Sequence, residues 1–460
     1  MSDNPYSAPR DNPPSTTEQG HPRAFWFFFW GEFAERSSYY GMRTILPIYL
    51  TTAVGLGGLE LSDNDAGSVA SWFKMGCYLL PLLGGFLADR FFGKYWTIVG
   101  FSVPYILGHF LLAIPTWLAV CSALVLLAAG SGVIKPNISA LLGQTYDQQR
   151  PGQERLRGAA FMWYYLAINI GALLSTLALP ELRTRYGFSF AFQFPTWLMI
   201  VSLGIFAAGK PWYAKETIGS GPPLSPAERQ AQWTTLARLS GIFGLMVFFW
   251  IGYEQNDNMW VFFVRDYVEL QVPFLAAPVP PEQLQFINPL FVLLLIPIFN
   301  GLIRWLDPQA KVATPIRKIL VGFALGAAAS GIMALAAVLA QTSGVKVSIL
   351  WPVLAYIVLT AGEVLLYGTG LELSYALAPK NMKGFVTACF LLTAALANLA
   401  NTYIVRFYGG SLKDPVAERG PLAPSVFFGL TALLVLAATI AFFFVGRRFD
   451  AAQQRRADQT

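Results

Sequence analysis

Between Ala24 and Gly446 the chain is a succession of apolar segments, each long enough to cross a bilayer. Nothing else in the sequence limits the fold as strongly. Inside lipid every backbone N–H and C=O must be satisfied within the protein, which leaves helices or a closed barrel. Segments of about 20 apolar residues match a helix across a hydrocarbon layer of about 30 Å, not a barrel strand. Twelve such spans are read, at 24–51, 66–88, 95–114, 116–144, 156–179, 188–209, 239–264, 284–304, 315–341, 346–377, 382–406 and 423–446. With 55% hydrophobic and 13% charged residues, the composition excludes an ordinary soluble domain and fits an all-α membrane protein.

Polar stretches divide the spans. Residues 1–23 hold Pro, Ser and Asn with no apolar core of a signal peptide, and read as a disordered cytoplasmic tail. Residues 211–238 form a polar linker between two six-span halves, 24–210 and 239–446, and 447–460 reads as a mobile cytoplasmic tail. With both termini cytoplasmic, 21 Lys and Arg fall on the inner side, 7 on the outer side and 4 within spans. That bias is the positive-inside pattern and fits this orientation; a multi-pass protein of the plasma or inner membrane is expected. The net charge of +6 then belongs to loops facing anionic lipid, and no nucleic-acid partner is needed to explain it. No sequence motif points to an obligate protein partner. Cys77, Cys121 and Cys389 lie in apolar spans and read as packing residues.

Four ionisable groups lie within the first span. Glu32, Glu35, Arg36, Tyr39, Tyr40 and Arg43 share one helical face, which must line a wet cavity because charge in lipid is costly. Lys74 and Lys135 lie mid-span, too far from either end to snorkel, and are read as cavity-facing. The seventh span holds Glu254, Gln255, Asn256, Asp257 and Asn258, and the tenth holds Glu363 and Glu372. Lys135 lies about 28 Å below the outer end of its span, and Glu363 is at similar depth in the repeat-equivalent span, so they can pair in one conformation. Arg43 and Glu254 are a second candidate pair. Six carboxylates stand against four cations within the spans, and an unpaired buried carboxylate takes up a proton, which favours a proton-coupled device. His109 reads as a packing residue. Gly93-Lys94 lacks the rest of a phosphate-binding loop, and no metal-ligand spacing or nucleophile elbow is present. An enzyme or an ATP-driven pump is therefore not expected.

The stretch Gly84-Gly85-Phe86-Leu87-Ala88-Asp89-Arg90-Phe91-Phe92-Gly93-Lys94 resembles the loop signature of the major facilitator superfamily. Glu32-Phe33-Ala34-Glu35-Arg36 followed by Tyr39-Tyr40-Gly41 is similar to the ExxER motif of proton-dependent oligopeptide transporters. Further matches are Tyr78-Leu-Leu-Pro-Leu-Leu-Gly-Gly, Lys135-Pro136-Asn137, Asn169-Ile-Gly-Ala, Glu254-Gln255, Asn288-Pro-Leu-Phe, Gly362-Glu363-Val-Leu-Leu and Pro379-Lys-Asn-Met-Lys-Gly384. The resemblance implies the major facilitator fold, with 12 transmembrane helices in two six-helix bundles, and no cofactor beyond protons as coupling ion. It further implies that Glu32 and Glu35, partnered by Arg36, take part in proton coupling. Arg36, Lys135, Tyr39 and Tyr40 would hold a peptide carboxylate, with Tyr78 lining the pocket. Glu363 would receive the α-ammonium, and Asn169 and Asn288 would bond the peptide backbone. Arg43–Glu254 would close the outer side and Lys135–Glu363 the inner side.

Five features depart from the family pattern: Lys74 beside Tyr78, Tyr367-Gly368 where Ser-Pro is common, the extra acid Glu372, Ser37 after Arg36, and a linker too polar for two added helices. Lys74 as a second pocket cation would suit an acidic peptide. The function implied is proton-coupled import of di- and tripeptides by alternating access. The alternatives are a carrier of a non-peptide anionic or drug-like solute on the same fold, and a transporter-like receptor or scaffold.

Overall fold

The computed structural model describes residues 20–216, 225–273, 275–307, 314–377, 383–409 and 420–457. The Pro379–Met382 part of the last motif lies outside them. The described residues form helices α1 (Arg23–Thr51), α2 (Asp63–Leu87), α3 (Gly93–Leu112), α4 (Trp117–Gln149), α5 (Glu154–Ala208), α6 (Pro226–Tyr253), α7 (Met259–Tyr267), α8 (Ile287–Leu306), α9 (Pro315–Ser343), α10 (Leu350–Leu377), α11 (Lys383–Ile404) and α12 (Pro424–Ala457).

Helices and apolar spans agree in place but not always one to one. The fifth and sixth spans form the single 55-residue α5. At 1.5 Å per residue it would be about 80 Å long, more than twice the hydrocarbon layer, so it must turn back. It does so at Gly187, whose φ of 82° and ψ of 172° only glycine adopts without strain. The seventh span shows the opposite departure. It is cut into α6 and α7, because residues 254–258 leave the helical conformation. Polar chain ends are also more ordered than their composition suggests. Helix α6 begins inside the segment read as linker, at Pro226, and α12 continues through the polar residues after Arg447 to Ala457.

The chain halves pack in a repeated way. In the first, α1 lies along α5 and α4 receives α2 and α3; in the second, α9 joins α10 and α12, while α6 meets α11 and α12. Between halves, α2 packs on α11 and α5 on α8. Counted as spans, these are second on eleventh and fifth on eighth, which an offset of six interchanges, as expected for two repeats about one axis. At the end opposite the termini, called distal below, strand β1 (Val268–Glu269) pairs in parallel with β2 (Val347–Ser348).

Two motifs have structural work at the opposite end. Asn137 follows Pro136 and donates to the carbonyls of Gly84 (3.1 Å) and Val133 (2.8 Å), tying α4 to α2. Gly84 is required there, since a Cβ on it would lie 2.7 Å from Val133 Cα. Glu216, at the start of the segment read as linker, accepts the N–H groups of Lys94 (2.7 Å) and Tyr95 (2.9 Å). It thus caps α3, whose first amides would otherwise lack partners.

Candidate functional site

Helix α1 turns its charged face into the protein. Glu32, Glu35 and Arg36 are almost fully buried. Arg36 Nε lies 3.2 Å from Glu32 Oε1 and bonds Glu35 Oε2 directly. One guanidinium thus serves two carboxylates, leaving this cluster one negative charge in excess if both are ionised. Its excess is met in part by Lys135 of α4, whose charged neighbours are Arg36, Glu32 and Glu35. Lys135 also lies 6.0 Å over the ring of Tyr78, on α2. The ring of Tyr39 sits 5.3 Å from the Arg36 guanidinium, and that of Tyr40 5.5 Å from that of Arg43. Cations gather over these faces because the ring quadrupole attracts them.

The facing wall comes from the second half. Glu363 Oε2 accepts from Asn288 Nδ2 at 2.6 Å, and the same amide reaches Thr360 (3.2 Å) and Tyr253 (3.4 Å). This holds an anionic group on the second half, whereas the first half carries Arg36 and Lys135. Glu363 opens into a cavity of about 300 Å³ bounded by Tyr165, Tyr367, Asn300, Lys318 and Glu372. A second, of about 660 Å³, adjoins it through Tyr165 and Ile296 and reaches Arg304. The first lies between α5, α8 and α10 and the second between α5 and α8, on the side of Glu363 nearer the termini.

Toward the distal end the halves are tied together. Lys74 Nζ lies 2.8 Å from Glu254 Oε2 and 2.7 Å from Asp257 Oδ1, while Arg43 Nη2 lies 2.7 Å from Asp257 Oδ2. Arg43 therefore pairs with Asp257 and not with Glu254, the partner expected from the sequence. Lys74 is spent on this seam and does not face the cavity as a spare cation. Farther out, Arg265 bonds Asp63 (2.9 Å) and Arg183 bonds the fully buried Glu282 (2.7 Å). Lys135 and Glu363 are not paired among the described residues. The distal seam is shut and the opposite side holds the cavity.

Asn169 is the expected site residue placed least tellingly: its Nδ2 donates to Tyr165 O, 2.9 Å away on its own helix. His109, read as packing, stacks on Tyr105 (4.9 Å) and meets Ser38 Oγ through Nε2 (2.7 Å). Asp257, Asp63, Arg183, Arg265 and Glu282 were not singled out as site residues. For Asp257 the signal was present, as a second acid three residues after Glu254. The other four lie at span ends, where charge is ordinary. No group of three or more metal-ligating side chains occurs among the described residues.

A family model described as the POT family matches residues 95–231 and 224–414. Dipeptide and tripeptide permease A of Escherichia coli (strain K12) is 28% identical over 473 residues, covering 91% of this chain and 90% of the relative. Peptide transporter YePEPT of Yersinia enterocolitica is 27% identical, covering 95% and 96%. Among solved structures, a peptide transporter POT in complex with sulfate superposes with a TM-score of 0.81 at 25% identity, over 95% of this chain and 96% of that one. A POT family transporter in complex with 5-aminolevulinic acid has a TM-score of 0.80 at 23% identity, over 95% and 98%, a likeness of fold. With motif, seam and fold agreeing, the chain belongs to the POT family, an integral multi-pass membrane transporter of the major facilitator fold.

Proposed function

We propose that this protein is a proton-coupled symporter for di- and tripeptides. The observation that carries the reading is the opposition of two walls. Arg36 and Lys135 stand on the first half, Glu363 braced by Asn288 stands on the second, and a cavity opens beside Glu363. A zwitterionic peptide needs a cation at one end, an anion at the other and a fixed distance between them. Apolar and aromatic walls such as Tyr165, Tyr367 and Ile296 then tolerate varied side chains. The relatives named above as peptide transporters support this assignment.

The mechanism follows from the pairs present. Glu32 and Glu35 both hold Arg36, so a proton on either carboxylate frees part of the guanidinium for the peptide carboxylate. The peptide ammonium goes to Glu363. When the distal side opens, Lys135 and Glu363 can close on each other at the inner side, and peptide competes for both. A ligand shifts such an equilibrium only by its differential affinity for the two states.

Among the described residues, eight helical stretches are long and apolar enough to cross a membrane. Counting the 50- and 55-residue stretches twice, and adding α1 and the broken α6–α7, gives the twelve crossings the sequence suggests. The excess of Lys and Arg at the end carrying the termini puts that end in the cytoplasm, so the state described is closed outward. Lys74 no longer argues for an anionic solute, since two carboxylates neutralise it.

The test is uptake of labelled dialanine into proteoliposomes with an imposed inward proton gradient. Accumulation abolished by a protonophore is the expected result. No accumulation by folded, inserted protein would remove the peptide assignment.

A further inference from the structure

The distal seam holds two cations of the first half, Arg43 and Lys74, against two carboxylates of the second, Glu254 and Asp257. Lys74, Glu254 and Asp257 are at least 97% buried. Lys74 Nζ also reaches the carbonyl of Glu254 at 3.4 Å, so it meets the chain where the helix breaks between α6 and α7. Asp257 divides its oxygens, Oδ1 to Lys74 and Oδ2 to Arg43. Glu254 has Lys74 as its ion-pair partner, yet lies close enough to Arg43 to act on its charge.

The cluster is neutral as a set of four, and its members are not equivalent. Removing Lys74 leaves two buried carboxylates for one guanidinium; removing Asp257 leaves two cations for Glu254. Either leaves a buried charge uncompensated, which is far more costly than deleting both partners together. Deleting Lys74 and Asp257 together leaves Arg43 beside Glu254, neutral again.

We propose that Lys74 and Asp257 form one positioning unit of the outer seam, which closes the distal side jointly with Arg43 and Glu254, and that neither contacts the transported solute. This rests on the transport reading above and deepens it. Within the closed seam Lys74 and Asp257 compensate each other, so losing one of them opens the distal side far more than losing both. The choice of peptide side chain then owes nothing to Lys74.

The test reads the seam without using substrate. A Ser68→Cys reporter is placed in full-length protein whose Cys77, Cys121 and Cys389 are changed to Ser. Ser68 is buried at the seam, donating to Thr402 O across the halves at 2.8 Å. Labelling by a membrane-impermeant maleimide from the distal side then measures opening. Lys74→Met and Asp257→Asn should each raise the labelling rate about tenfold or more, and the double variant should return it to within about threefold of the parent. A double variant labelled as fast as either single variant, or faster, would overturn the proposal.

Lys74→Arg keeps the charge and should label as the parent does. If Lys74→Met does not fold, Asp257→Asn decides: a raised rate that the double variant restores supports the unit, and a parental rate in Asp257→Asn or no restoration refutes it. A substrate role is read separately, from KM for alanyl-glutamate and for dialanine. Their ratio should be the same in parent and double variant; a selective rise of about tenfold for alanyl-glutamate would make Lys74 a substrate ligand. Because labelling needs no peptide, a parent that fails to transport dialanine sinks the peptide reading while leaving the seam test intact.

Discussion

Arg36 is bound by Glu32 and Glu35 at once, and that asymmetry sets what a single substitution there does. Glu35→Gln removes one of two carboxylates and leaves a single neutral pair, so protonation no longer releases the guanidinium by half. Gradient-driven dialanine accumulation should fall to the level without a gradient, while counterflow exchange, which needs no net proton movement, persists. Retained gradient dependence in proteoliposomes would contradict the coupling role. The face bearing these residues was legible in the sequence, because a helix repeats every 3.6 residues and lipid excludes charge. Pairings across helices were not. Depth along a span places Arg43, Glu254 and Asp257 at one level, but choosing between carboxylates needs the rotation of α6–α7, and periodicity is lost at a break. Lys74 shows the same gap: buried charge was expected there, and its partners lie 180 and 183 residues away.

Helices α6 and α7 are separated by residues 254–258, which include neither proline nor glycine. Residues 254–258 are held by partners contributed from other helices. Tyr356 donates to Asn256 O, Gln255 Nε2 meets Asn401 (2.9 Å), and Asn258 Nδ2 reaches Gly67 O and Ser71 (3.1 Å each). Irregular backbone at this depth survives only when such groups satisfy it. The sequence showed the polar run and not its purpose, because the partners come from α2, α10 and α11. Close helix crossings are the other feature at this scale. At Gly84 the obstacle is Val133 backbone, which cannot rotate aside. Gly84→Val should therefore cost about 1–3 kcal/mol, seen as a lower Tm in detergent. An unchanged Tm would mean that α2 and α4 can separate freely.

Across the whole molecule, the distal ties reach well beyond the expected pair. Arg183–Glu282 and Arg265–Asp63 add rim contacts between the halves. Glu282 is fully buried and Arg183 about one-fifth exposed, so Glu282→Gln should weaken the closed seam by about 3 kcal/mol or less. Spin labels at Val54 and Val345, both exposed on distal loops of opposite halves, should then report a shift toward longer distances. An unchanged distance distribution would show that this pair does not hold the halves together. The twelve-span plan and the two halves were readable from hydropathy alone, whereas the conformational state was not, since one sequence must encode both states. The sign of the seam charges has a consequence of its own. Arg43, Lys74 and Arg183 lie on one half and Glu254, Asp257 and Glu282 on the other, with the Arg265–Asp63 pair reversed, and the net sense is that of Lys135 against Glu363. Once parted, the halves resemble the plates of a charged capacitor, with a lateral field running from mouth to binding site. A molecule charged oppositely at its two ends is turned by that field before it touches any side chain, and a molecule turned the other way meets repulsion at both plates.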